Sequence, residues 1–235
     1  MRNLRKLPIL LCTVMTAVFA FGVSDAKAAE QDTTWNYTSE ITETAGAFTY
    51  HAIASQDEKE AWIYEVTVDK SKEHAVVTIP ETLQDKTVTC IGYAPEKDPD
   101  RDDSFNKNLF GSYAELNHNV DGGYNTTEGI KEIVMPSSLE KIMPTTFSGA
   151  NDVKTITIPE KVTVIEEETF YSCNNLKTLN LPTGLKELDV TAFIECAKLN
   201  TINLSAENTV YEVKNNCVIT KADKALVYAL PVSGT

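Results

Sequence analysis

The chain has 235 residues, long enough to bury a sizeable core as one or two domains. Its 34 acidic residues outnumber 21 basic ones, for a formal net charge of −13, which argues against nucleic acid or an anionic membrane surface as partner. Solubility of an exported protein is enough to explain that charge, and no basic partner follows from it.

Arg2, Arg5 and Lys6 lead into an apolar run, Leu7 to Val23, which gives way to the small-residue site Ala26-Lys27-Ala28. The run is short for a spanning helix and ends in a cleavage-type motif, so residues 1–28 are predicted to be a secretory signal peptide. Cys12 follows Leu11, where a lipid-anchoring signal would want a small residue, and no lipid anchor is expected. No second apolar stretch approaches spanning length, and the C-terminus shows neither a sorting motif nor an apolar tail. A secreted or cell-surface location without membrane insertion of the mature form is therefore expected.

Residues 29–75 form an N-terminal region. Phe48, Tyr50 and Ile53 alternate with polar residues, QDEK follows at 56–59, and Trp62, Tyr64, Val66 and Val68 alternate again. This predicts a β-hairpin placed to cap an exposed sheet end.

The rest of the chain, 76–235, is repetitive. From Ile130 it reads IKEIVMP, from Val153 VKTITIP, from Leu176 LKTLNLP and from Leu199 LNTINLS, each start 23 residues after the last. Phe147, Phe170 and Phe193 keep that step, as do Ile142, Ile165 and Leu188, and Leu139, Val162 and Leu185. Within a copy the opening residues alternate as in a short half-buried strand, Pro136, Pro159 or Pro182 ends it, a second extended piece follows, and a compact segment carries the Phe. No single copy can hide its own apolar residues, whereas stacked copies turn each apolar column into a buried ladder. The predicted fold is a mainly β solenoid, a stack of 23-residue coils with short parallel strands, short helical or turn segments and the N-terminal hairpin cap. Val76 to Gly92 reads as the first coil. Residues 94–129, rich in Asp, Asn and Gly, read as an insertion in the solenoid, either a partner contact or a decoration without consequence. Val213, Cys217 to Thr220 and Ala225 to Leu230 suggest a closing hairpin around KADK.

The shape I/V/L-x-x-I-x-I-P, then V-x-x-I, then A/T-F-x-x-C-x-x-L, with its 23-residue period, resembles the BspA-like leucine-rich repeats of secreted and surface bacterial proteins. The resemblance covers about residues 76–92 and 130–231 and implies that the stack is leucine-rich-repeat-like and right-handed. The small residue before Phe is Ala192 in one copy and Thr146 or Thr169 in others, and the Cys column reads Ala150, Cys173, Cys196. The Ile-Gly of the turn before the Phe segment survives at Ile91-Gly92 and is replaced at Met143, Glu166 and Asp189. That replacement argues against a left-handed turn at Met143 and Glu166. The resemblance implies attachment to host or matrix proteins, or to other cells.

Candidate chemistry is sparse. Asp98, Asp100 and Asp102 begin like a calcium loop, but Asp103 stands where Gly is needed and Leu109 where the bidentate Glu belongs. His51, His74 and His118 have no second ligand at metal-like spacing. A Cys–His nucleophile would require Cys90 near His74 or His118, and Glu166, Glu167 and Glu168 read as a solvated turn. Stacking would bring Cys173 and Cys196 within disulfide range, although Ala150 in the same column favours a small buried ladder. No catalytic, metal or cofactor site is expected, and the chain is not read as an enzyme. The remaining candidates are the outward strand positions: Glu132, Thr155, Thr178 and Thr201 in one column, Val134, Thr157, Asn180 and Asn203 in the other. Thr155, Thr157, Thr178, Asn180, Thr201 and Asn203 are the predicted partner-binding residues, for an extracellular protein or glycan held by a monomer. The alternatives are soluble strand residues of a spacer module within a larger surface protein, or a secreted enzyme.

Overall fold

The alternation of the sequence becomes strand wherever it occurs. The computed structural model describes residues 39–94, 108–109 and 129–231, and among these there are short strands and no helix. The predicted signal peptide, the Asp98–Asp103 run and His118 lie outside the described residues.

At the N-terminal end β1 (Glu40–Ala45), β2 (Phe48–Ala54) and β3 (Glu60–Val68) form an antiparallel meander. β2 and β3 are the predicted hairpin. β1 is an addition the sequence did not announce, because Ile41 is its one buried residue. The first coil contributes β4 (Val76–Thr78), β5 (Thr82–Leu83) and β6 (Lys86–Ile91), and the second β7 (Glu132–Val134) and β8 (Lys141–Ile142). The third has β9 (Thr155–Thr157) and β10 (Val164–Ile165), the fourth β11 (Thr178–Asn180) and β12 (Glu187–Leu188), the fifth β13 (Thr201–Asn203). β14 (Tyr211–Lys214), β15 (Cys217–Thr220) and β16 (Leu226–Ala229) close the other end as an antiparallel sheet, one strand more than the predicted hairpin.

Two parallel stacks result. On the front β4 pairs with β7, and β11 lies between β9 and β13. At the back β6 lies between β3 and β8, and β10 pairs with β12. β3 therefore belongs both to the meander and to the back stack, where it is the first rung. Between the second and third coils neither stack is continuous: β7 does not pair with β9, nor β8 with β10. There the coils are joined at the Phe segment, where the N–H groups of Thr145, Phe147 and Gly149 donate to the carbonyls of Glu167, Thr169 and Tyr171 at 3.2, 2.9 and 2.8 Å.

The Phe segments are turns. Their rings stack along the axis, Phe147 on Phe170 and Phe170 on Phe193, each pair with centroids 5.7 Å apart and planes within 9°, and Tyr228 tilts against Phe193 at 4.8 Å to end the row. The Phe rings are among the largest fully buried side chains of the protein. Beside them the thiols of Cys173 and Cys196 donate to the carbonyls of Phe147 and Phe170, both at 3.1 Å. All four described cysteines are free.

Leu109, within the stretch 94–129 that reads as an insertion in the solenoid, is part of the core. It is fully buried. Its N–H donates to the Thr146 carbonyl at 2.9 Å and its carbonyl accepts from Val66 N–H at 2.8 Å. Phe147 and Phe170 make the same bond, to Thr169 and Ala192, so Leu109 occupies the Phe column of the first coil.

Positive φ also falls differently from the family pattern. Gly92 has φ 110, and a Cβ there would stand 2.2 Å from Thr146 Oγ1 and 2.8 Å from Met143 Cβ. Met143, Glu166 and Asp189 are not left-handed; the left-handed residues are Thr145 and Glu168 just before the Phe, and Gly149, Ser172 and Glu195 just after it.

The ends close on single polar side chains. At the C-terminal end Asn208 takes the column of Leu139, Val162 and Leu185 and is 1% exposed. Its Nδ2 donates to the carbonyls of Thr183 and Leu185 at 2.9 and 2.8 Å, and its Oδ1 accepts from the N–H groups of Val210 and Tyr211 at 2.9 and 2.7 Å. The amide thus pairs backbone groups that a further apolar residue would leave unmet. At the N-terminal end the Tyr50 hydroxyl donates to the Thr78 carbonyl at 2.8 Å.

Candidate functional site

The predicted face is assembled in register. Thr155, Thr178 and Thr201 are cross-strand partners, and so are Thr157, Asn180 and Asn203, with Ile156, Leu179 and Ile202 buried between the two columns. Parallel pairing at a fixed step places identical positions side by side, about 4.8 Å apart, and the alternation turns both polar residues of each strand outward. Thr155, Thr157 and Asn203 are exposed; Thr178, Asn180 and Thr201 are half-buried. Glu132 and Val134 are exposed on β7, across the unpaired junction.

The second column is internally bonded. Asn203 Nδ2 donates to Asn180 Oδ1, and Asn180 Nδ2 to Thr157 Oγ1, both at 2.7 Å. Each amide keeps a second N–H and a further acceptor lone pair for an outside group. In the first column Thr201 Oγ1 donates to its neighbour Asn200.

Charge flanks the face unequally. Just before β7, β9 and β11 stand Lys131, Lys154 and Lys177, all exposed, and before β13 the same position is Asn200. The sequence shows the lysines as the second letter of IKEI, VKTI and LKTL, where the pattern alone does not tell a lysine in an ion pair from one without. Beyond the strands the carboxylates are engaged as caps: Glu81 accepts from the N–H groups of Ser137 and Ser138 at 2.7 and 3.2 Å, and Glu160 from Thr183 N–H at 3.0 Å. The Ser137 N–H and Ser138 hydroxyl hold Glu81 below the usual carboxylate range.

The other candidates are not brought together as sites. Cys90 is buried beside Ile53, Trp62 and Ala94, and burial pushes its thiol up, the opposite of what a nucleophile needs. For Cys173 the adjacent Cys196 thiol and burial act in the same direction. His51 Nδ1 lies 3.3 Å from Thr42 Oγ1, and His74 Nδ1 lies 2.7 Å from the Lys72 carbonyl. Half-buried Glu166 is pushed up by burial, and then by Glu187, Glu167 and Asp189, with Lys141 opposing. Among the described residues no three His, Cys, Asp or Glu side chains could hold a metal ion together, and no helix is long and apolar enough to cross a membrane.

Residues 121–222 match the family described as BspA type leucine rich repeat region, in six copies. This segment is a BspA-type leucine-rich repeat. Among solved structures, the chain is similar to a leucine rich cell surface protein from Faecalibacterium prausnitzii, at 17% identity over 67% of this chain and 38% of that one, with a TM-score of 0.41. It is similar to a leucine rich repeat protein of T. pallidum, at 17% identity over 65% and 67% with a TM-score of 0.43. A third, a leucine-rich repeat protein from Eubacterium ventriosum, shares 16% identity over 84% and 53%, with a TM-score of 0.48. The chain thus spans 38% of the first relative's length and 53% of the third's. No curated protein matches it. The BspA-type repeats supply the coils that carry the Thr and Asn columns.

Proposed function

We propose that this is a secreted or surface-associated bacterial binding protein, adhesin-like, whose BspA-type front face holds an extracellular protein or glycan. The observation that supports it is the register of β9, β11 and β13, which aligns Thr155, Thr178 and Thr201 beside Thr157, Asn180 and Asn203 as a flat hydrogen-bonding surface. A rigid, regularly spaced face suits an extended ligand, as the concave surfaces of solenoids do. The test is binding to matrix proteins, epithelial cells and glycan arrays by the parent chain and by a Thr178→Arg, Asn180→Arg, Asn203→Glu variant. Saturable binding that the altered face abolishes supports the reading, and equal binding by both rejects it.

A second reading, a spacer within a larger surface protein, draws on the Asn203 to Asn180 to Thr157 bonds, which satisfy part of the face from within. Absence of binding by the parent chain in every assay would favour that alternative. A catalytic role would require turnover by the parent chain in a screen of hydrolase substrates.

A further inference from the structure

We propose that the lysine row along the front face binds an acidic polysaccharide, laid lengthwise across the coils. This deepens the binding-protein reading and rests on it. Lys154 and Lys177 stand on adjacent rungs, because Lys177 N–H donates to the Lys154 carbonyl at 2.9 Å. Lys131 holds the same position one coil earlier, across the unpaired junction. On the fifth coil that position is Asn200, and Lys198, just ahead of this coil, reaches back along its own column, with Nζ 2.6 Å from Asn175 Oδ1.

Lys131, Lys154 and Lys177 form no ion pair with a described residue, whereas Lys86, Lys161 and Lys224 each have a carboxylate within 3.4 Å. In a chain with 34 acidic residues against 21 basic ones, a row of like charges without ion pairs, of which Lys154 and Lys177 lie about one strand spacing apart, about 4.8 Å, is the exception. The charges repel one another until an anion lies along them, and they offer such an anion a complementary line.

The neighbouring groups select the kind of anion. One residue away runs the hydroxyl column of Thr155, Thr178 and Thr201, able to meet the hydroxyls of a sugar chain with donors and acceptors. No aromatic residue stands in either outward column. A neutral sugar therefore finds no ring to pack against, and a nucleic acid finds no platform for its bases. An extended acidic peptide repeats its same-side groups every two residues, about 6.7 Å, out of step with the rungs. A sugar unit is close to one rung long, so a polymer with a carboxylate or sulfate on successive or alternate sugars stays in register.

The test is equilibrium binding of the full chain to polygalacturonate, which carries carboxylates, and to heparin, which carries sulfates. Dextran, poly-glutamate and oligothymidylate serve as comparators, and folding of each variant is checked by circular dichroism. The expected result is saturable binding to one or both acidic glycans, weakened by added salt and reduced about tenfold or more in Lys154→Glu/Lys177→Glu. The charge-matched variant Lys186→Glu/Lys214→Glu, away from the row, is expected to stay within about threefold of the parent, since charge acts here through proximity. A preference for the carboxylated or the sulfated probe identifies the anion. The proposal is overturned by no acidic-glycan binding, by equal loss in the two charge variants, or by equal or tighter binding of dextran, poly-glutamate or oligothymidylate. If acidic glycans fail while the Thr178, Asn180 and Asn203 variant still abolishes matrix or cell binding, this inference falls and the binding-protein reading stands.

Discussion

The backbone N–H of Leu109 donates to the carbonyl of Thr146 at 2.9 Å, the bond by which Phe147 holds Thr169 and Phe170 holds Ala192. A residue from a polar stretch thereby becomes the first rung of the aromatic ladder. Leu109→Ala should accordingly behave as a core truncation and lower the unfolding free energy by about 2–5 kcal/mol. Urea denaturation measures it; a shift within the scatter of surface substitutions would mean that Leu109 does not fill the column.

Asn208 binds four backbone groups at the buried C-terminal end. Asn208→Ala strands them all, at about 1–3 kcal/mol for each that water cannot reach. Asn208→Leu restores the residue type of Leu185 and should be no better, since its side chain cannot bond to the backbone. Equilibrium unfolding of both variants tests this, and a stabilised Asn208→Leu protein would refute the capping role.

Thr145 combines two unfavourable features at the junction where neither strand stack is paired. It is β-branched at φ 59, a conformation that costs about 1–3 kcal/mol, and its buried hydroxyl has no hydrogen-bond partner. Thr145→Gly relieves both and should raise stability by about 1 kcal/mol after glycine's backbone entropy is counted. A lowered urea midpoint would show that the threonine methyl contributes more by packing than the strain costs.

Tyr50 and Tyr228 are both pushed up to about 12 by burial, with the Cys196 charge a lesser cause at Tyr228. In the unfolded chain they ionise near the ordinary 10, so the folded form binds their protons more tightly. Their contribution to stability is complete below pH 10 and lost as pH rises through about 12. Urea midpoints between these pH values should fall, and Tyr228→Phe should flatten the fall. An unchanged slope in that variant counts against a half-buried Tyr228 that stays protonated.

Cys217 is half-buried, while Cys90, Cys173 and Cys196 are buried. A thiol reagent should modify Cys217 in the native protein and the other three only on unfolding. Reductant should leave thermal unfolding unchanged. Two missing thiols in the denatured protein would instead indicate a Cys173–Cys196 disulfide.

Much of the fold was legible because burial in a solenoid is periodic. Ile156, Leu179 and Ile202 recur at one step, and so do Phe147, Phe170 and Phe193, so inward columns and parallel stacking could be read without knowing any distance. The outward columns followed from the same alternation, which is why Thr155, Thr178 and Thr201 emerged in register. The lysine row was equally periodic, but periodicity cannot distinguish a solvated lysine from an unpaired one in a field of carboxylates. That distinction required the ion pairs of Lys86, Lys161 and Lys224 to be seen.

The sequence by itself determined the coil length, the inward residues and the polar strand face, because each depends on neighbours at a fixed step along the chain. Only the tertiary structure decided what lies off that step: Leu109 as the first rung, β3 as the start of the back stack, the unpaired junction between the second and third coils, and Asn208 as the closing residue. These depend on which group can reach an unmet backbone partner across a loop of arbitrary length, and hydrophobic periodicity carries no record of that reach.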